Sequence, residues 1–194
     1  MAIIENKTAE SIKNNGELLL TISSERIWDE FKKSWVQSKD FRDYLGYLKS
    51  FELYKYIFPG ANINTNLVDS KDFVVVIANL FKNENTTGLA DRLAQDYKIE
   101  LETATKVTFL ISLLSFKVED VFDIYKKRQQ CAITDATILE WLKVEGIDTD
   151  TLVKFVEYRP SVSAQELMSQ GFKGRELGIK IKEIEVEKFK ETLK

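Results

Sequence analysis

The 194-residue sequence contains no histidine, one cysteine, two prolines and eight glycines. The lack of histidine excludes imidazole acid–base catalysis, Ser-His-Asp and Cys-His nucleophiles, and histidine-ligated metal sites within these residues. The single cysteine, Cys131, excludes an internal disulfide and favours a reducing, cytoplasmic location. Because turn-rich β-folds need more proline and glycine, we predict an all-α protein.

The sequence also lacks long apolar runs and an excess of positive charge. No apolar run has the length of a membrane span, and no N-terminal segment has the order of a signal peptide, so we expect no membrane partner. The formal net charge is −3, whereas nucleic-acid-binding domains are usually basic. Any RNA contact must therefore come from local clusters of basic residues.

The segment from Ile22 to Trp35 is the clearest predicted helix. Ser23 or Ser24 is placed to cap its N-terminus, and apolar residues recur at helical spacing through Trp28 and Phe31. Another helix is predicted to begin near Thr8 and to continue through Leu18 and Leu19, and a further one follows the cap Asp40. The remaining predicted helices span about residues 73–81, 89–93, 100–115, 119–130, 134–144, 152–156 and 177–193.

The run from Phe73 to Phe81 is rich in β-branched residues and, taken alone, suits a buried strand. We predict a buried helix instead, because Asp72 and Asn83 bound the run and no pairing strand is evident nearby.

Two stretches carry a family resemblance. Thr8 to Asn15, the Leu18-Leu19 pair and Ile22 to Glu30 follow the order T-x-x-x-I-x-x-N, Leu-Leu and I-S-x-E-R-x-x-x-E. This order resembles the neck of class II tRNA nucleotidyltransferases, which comprise the CCA-adding enzymes and the bacterial poly(A) polymerases. The segment from Val162 to Gly178, with its G-x-x-G-x-x-L-G pattern, is similar to the tail of the same family.

The resemblance implies an elongated array of helices, with a neck over residues 1–58, a body over 59–158 and a tail over 159–194. In that family a catalytic head precedes the neck and holds two Mg²⁺ ions with the incoming CTP or ATP. We find no counterpart of the head in this sequence. We therefore expect no catalytic residue, no metal site and no cofactor bound by this chain. The implied partners are the acceptor stem and elbow of tRNA, and a head domain or head-containing chain.

The tail motif has the features of a phosphate-binding turn. Gly171 and Gly174 permit a tight turn between two helices, and the second helix then begins with free amide groups that bind anions. The alternative is a packing device in which Gly178 allows two helices to approach closely, and both roles are compatible. The predicted RNA contacts in the tail are Lys173, Gly174, Arg175, Lys180 and Lys182.

Arg26 is the predicted RNA contact in the neck. It follows Glu25 and lies one turn from Asp29 and Glu30, so an intrahelical ion pair is the alternative role. The resemblance implies contact with the RNA acceptor end or with the head domain.

Two further charged motifs are predicted to be structural. Lys126-Lys127-Arg128 ends a helix, where cations suit the negative pole, and RNA contact is the alternative.

Asp148 and Asp150 have the spacing of a metal-binding pair, but neither a strand nor a glycine-rich phosphate loop precedes them. We predict that they cap the next helix.

Two classes of function remain open. The chain is the RNA-binding part of a CCA-adding enzyme, as a truncated form or one chain of a split enzyme, or it is a stand-alone helical RNA-binding or adaptor protein. Within the first class, the enzyme could instead be a poly(A) polymerase, of which this chain is the RNA-binding part. The sequence Glu25-Arg26-Ile27-Trp28 and the tail motif favour CCA addition.

Overall fold

The computed structural model describes residues 4–147 and 150–194, and every regular element in these ranges is helical, which confirms the all-α prediction. None of the helices there combines the length and apolar character needed to cross a bilayer. The helices are α1 Asn6–Asn14, α2 Ser24–Gln37, α3 Phe41–Ser50, α4 Tyr54–Ile57, α5 Phe73–Phe81, α6 Leu89–Asp96, α7 Leu101–Ser112, α8 Val121–Cys131, α9 Asp135–Glu145, α10 Asp150–Glu157, α11 Ala164–Ser169 and α12 Gly174–Thr192, with short 3-10 helices at Gly16–Thr21, Leu113–Ser115 and Val118–Asp120.

The chain divides into two compact units, Met1–Ile111 and Ser112–Lys194. The predicted boundaries of neck, body and tail do not coincide with this division. They describe expected functions and stay a prediction.

Helix α2 packs into the first unit through its aromatic residues. The Ser23 hydroxyl accepts the backbone N–H of Arg26 at 3.4 Å, as the capping prediction requires. Phe31 is buried and stacks on Trp28, with 5.6 Å between ring centroids. Its ring also meets Phe41 edge-on at 5.3 Å and Phe58 at 5.7 Å. These aromatic contacts fix α2 against α3 and the end of α4.

The Phe73–Phe81 segment is helical, and its buried position is confirmed. The carboxylate of Asp72 accepts the backbone N–H groups of Val74 at 2.9 Å and Val75 at 3.4 Å. This cap favours a helix over a strand despite the β-branched residues, because it satisfies amides that would otherwise lack partners.

The predicted first helix, from Thr8 through Leu19, is wrong in its extent. Helix α1 ends at Asn14, where the Asn15 side-chain amide donates to the Ser11 carbonyl at 2.8 Å. This bond closes the last turn of α1 and lets the chain leave the helical path.

Gly16 explains why the helix does not continue. It is buried beside Tyr56, and a Cβ at this position would lie 2.8 Å from a ring carbon of that residue. The chain therefore enters a 3-10 helix at Gly16, which leaves Leu18 58% exposed and Leu20 59% exposed. Local periodicity could not reveal this contact with a residue forty positions away.

A buried carboxylate organises the second unit. Glu185 on α12 is 1% exposed, and its Oε1 accepts the backbone N–H groups of Ser161 at 2.7 Å and Val162 at 2.6 Å. Its Oε2 accepts the Tyr158 hydroxyl at 2.7 Å. The pKa of Tyr158 is raised, mainly by burial and secondly by the hydrogen bond to Glu185. Glu185 thus ties the segment after α10 to α12.

Helix α9 begins and ends as predicted. The Thr134 hydroxyl accepts the Thr137 N–H at 3.1 Å, and Gly146 closes the helix with a φ of +66°. Of the two residues predicted to cap α10, Asp148 lies outside the described residues and Asp150 is the first residue of the helix.

We expect Glu185→Gln to destabilise the second unit by about 1–3 kcal/mol, because an amide cannot accept from all three donors. Amide hydrogen exchange of α12 would measure the loss. The matched control is Glu187→Gln, an exposed residue of the same helix that pairs with Lys190 at 3.4 Å. Equal protection of α12 in the two variants would contradict this role for Glu185.

Candidate nucleic-acid interface

Arg26 lies exposed in the first turn of α2. Its side chain forms no ion pair with another described residue, so the alternative of an intrahelical ion pair is wrong. The three acidic neighbours pair with lysines instead: Glu25 with Lys98 at 3.6 Å, Asp29 with Lys32 at 3.3 Å and Glu30 with Lys33 at 2.7 Å. The Arg26 guanidinium is therefore available to an external anion.

Glu100 fixes the orientation of α2. Its carboxylate accepts the Trp28 indole N–H at 3.0 Å and pairs with Lys32. Burial acts to raise the pKa of Glu100, but the hydrogen bonds from Lys32, from the Glu100 backbone N–H and from Trp28 outweigh it, and the pKa is lowered. The ionised carboxylate thus joins α2 to the residue before α7, and this holds Arg26 at the surface.

An exposed apolar segment precedes Arg26 in the chain. Leu18 and Leu20 are more than half exposed, and Ile22 is 39% exposed. We call residues 18–22 the apolar segment. Sequence reasoning missed this surface, because the pattern placed Leu18 on the buried face of a longer helix.

The turn between α11 and α12 has the predicted form. Gly171 has a φ of +100° and Gly174 a φ of +53°, values that favour glycine. Among the described residues no side chain caps α12, and neither Lys173 nor Arg175, both exposed, forms an ion pair there. Glu176 lies in the same first turn and reduces its positive charge. We call residues 171–175 the basic turn.

Lys180 and Lys182 lie further along α12 and do not share one face. At about 100° per residue, Lys182 lies within about 20° of Arg175 around the helix, and Lys180 about 160° from Lys182. Lys182 donates to Asp123 on α8 at 2.7 Å, which raises the pKa of Lys182. Lys180 pairs with Glu183 at 3.1 Å. The structure therefore groups Lys173, Gly174 and Arg175, whereas RNA contact by Lys180 and Lys182 stays a prediction.

Gly178 is not a point of close packing. A Cβ at this position would meet no atom of the described residues within 4 Å, so the alternative that Gly178 lets two helices approach closely is wrong.

Arg128, at the basic end of α8, has a structural role. This residue is 4% exposed, donates to the Val156 carbonyl at 2.7 Å and pairs with Asp135. Lys126 pairs with Asp123 at 2.9 Å. The burial of Arg128 excludes it from RNA contact.

In residues 4–147 and 150–194, no three acidic or cysteine side chains converge in a way that could hold a metal ion. The expectation that this chain binds no metal ion and no cofactor stays a prediction.

Residues 3–63 match a family model described as the probable RNA- and SrmB-binding site of polymerase A. The matched range holds α1 to α4, the apolar segment and Arg26. No curated protein and no solved structure matches the chain. The family match supports RNA as a partner of these residues. It also supports a relation to the poly(A) polymerases and CCA-adding enzymes at the level of this RNA-binding region.

We expect Gly178→Ala to stabilise α12 by about 1 kcal/mol, because alanine is the better helix former and the space is open. Gly174→Ala should destabilise it by about 1–2 kcal/mol, because its φ is left-handed. Hydrogen exchange of α12 measures both variants. Destabilisation by Gly178→Ala would show that a neighbour does pack there.

Proposed function

We propose that this chain is the tRNA-binding part of a CCA-adding tRNA nucleotidyltransferase, with catalysis supplied by a head domain that these residues do not include. The observation that carries the proposal is the family match over residues 3–63, because that range contains Arg26, which is exposed and forms no ion pair with another described residue. The choice of tRNA as the RNA rests on the resemblance of the neck and tail motifs.

The exposure of three basic side chains supports this function. Arg26, Lys173 and Arg175 are exposed, and none of them pairs with a carboxylate of another described residue. A phosphate can therefore bind them without breaking an existing ion pair. Such contacts recognise the RNA backbone rather than its sequence, which suits an enzyme that must accept many tRNAs.

The apolar segment is the proposed contact for the catalytic head. Leu18 and Leu20 expose apolar side chains within the matched range. Covering them would remove apolar surface from water, and this favours association with a second domain or chain.

The RNA-binding part of a poly(A) polymerase is the second candidate. It is favoured by the description of the matched family model, which names polymerase A. The two candidates differ in the RNA preferred. The RNA-binding part of a CCA-adding enzyme should bind a tRNA lacking its CCA end more tightly than an unstructured RNA 3′ end. The RNA-binding part of a poly(A) polymerase should show the opposite preference. A stand-alone RNA-binding or adaptor protein remains the third candidate.

We expect Lys173→Glu with Arg175→Glu to weaken binding of tRNA lacking CCA by about tenfold or more. The slope of log K against log salt should become shallower by about 2, since each phosphate contact contributes about 0.9. Fluorescence anisotropy at several salt concentrations measures both quantities. Lys117→Glu with Lys143→Glu is the matched control, because both lysines are exposed and form no ion pair with another described residue.

An unchanged affinity and slope in the basic-turn variant would reject that turn as a tRNA contact. Equal weakening in the control variant would reject it too, because the effect would then follow net charge alone.

We expect Arg26→Ala to weaken tRNA binding by about fivefold, equivalent to about 1 kcal/mol. Lys33→Ala is the control on the same helix, because Lys33 is exposed but pairs with Glu30. The affinity of the Lys33→Ala variant for tRNA should stay within about twofold of the affinity of the unchanged chain. If the two variants bind equally well, Arg26 has no special role.

A further inference from the structure

The first unit contains a cleft of about 360 Å³ at the junction of α2, α3 and the loop before α5. This volume lies within the range of small-molecule sites, about 300–1,000 Å³. The residues that give the cleft its chemistry are Trp35, Lys39, Asp40, Arg42, Asp69 and Lys71.

Trp35 forms a rigid aromatic wall. Its ring meets Phe41 edge-on at 5.2 Å and Phe73 at 5.3 Å, so two neighbours fix its orientation. The residue is nevertheless only half-buried. Its indole N–H donates to no other described residue, whereas that of Trp28 donates to Glu100. Part of the Trp35 side chain is thus open to a ligand.

The charges around the cleft favour an anion. Lys39 and Lys71 are exposed and form no ion pair with another described residue. Both acidic side chains, by contrast, pair with Arg42: Asp40 at 2.6 Å and Asp69 at 3.4 Å. The hydrogen bond from Arg42 lowers the pKa of Asp40, which stays ionised and bound. The two lysines therefore remain uncommitted.

We propose that this cleft binds one nucleotide of a single-stranded RNA segment, with the base against Trp35 and the adjoining phosphates at Lys39 and Lys71. A rigid indole beside uncommitted cations is the combination that single-stranded nucleic acid requires, because the base stacks while the cations neutralise the backbone. The inference depends on the proposed function only in taking RNA as the partner. It concerns residues separate from Arg26 and from the basic turn.

The test uses the purified chain with two labelled probes, a single-stranded RNA octamer and a tRNA lacking CCA. Fluorescence anisotropy should show that Lys39→Glu with Lys71→Glu weakens octamer binding by about tenfold, and Trp35→Leu by about fivefold or more. The control pair Lys117→Glu and Lys143→Glu should remain within about twofold of the unchanged chain.

Intrinsic fluorescence gives a second readout that does not depend on the charge variants. Trp28 is 2% exposed and Trp141 0%, so stacking by the octamer should quench mainly Trp35. The quenching should disappear in Trp35→Phe, which keeps an aromatic ring against Phe41 and Phe73.

The outcomes separate this inference from the proposed function. If tRNA binds but the octamer does not, or if the cleft variants bind the octamer normally, the cleft is not a nucleotide site and the proposed function stands. If the octamer binds through the cleft while tRNA does not bind, the tRNA function fails and the cleft inference stands. Equal binding of an abasic strand or an acidic peptide of the same charge would overturn the nucleotide inference.

Discussion

The packing of Phe31 against its aromatic neighbours is the interaction on which the position of α2 depends. It holds α2 in the first unit through Trp28, Phe41 and Phe58. Because α2 carries Arg26 in its first turn and Trp35 in its last part, the same packing presents both side chains at the surface. The helix most strongly predicted by its apolar periodicity is therefore also the helix that carries residues proposed to contact RNA.

Electrostatics explains how an acidic chain can serve an RNA partner. With a net charge of −3, a broad attraction to phosphate is absent. Many cations are already committed, as Lys32 is to Glu100 and Lys182 is to Asp123. The arginines and lysines proposed as contacts in α2 and the basic turn have no such carboxylate among the described residues. Affinity would then rest on a few local contacts and fall with salt in proportion to their number.

Local chemistry predicted much of this structure, and its failures have one physical cause. Caps and apolar spacing were sufficient for α2, α3 and α9, because the signals lie within a few residues of each helix. For α5 the β-branched run alone suited a strand, and the bounding residues and the lack of a nearby pairing strand decided for a helix. The extent of α1 was wrong because Gly16 packs against the distant Tyr56. Arg128 could not be identified as buried, since its partner Val156 lies in another helix. The cleft at Trp35 was missed for the same reason, because Lys71 reaches it from a loop.

The most direct test of the central claim compares the unchanged chain on two RNAs, a tRNA lacking CCA and an unstructured RNA of equal length, across a range of salt concentrations. We expect saturable binding that prefers the tRNA. The slope of log K against log salt should lie between about −2 and −4, as expected for a few phosphate contacts. Absence of binding, no preference between the two RNAs, or an affinity independent of salt would contradict it.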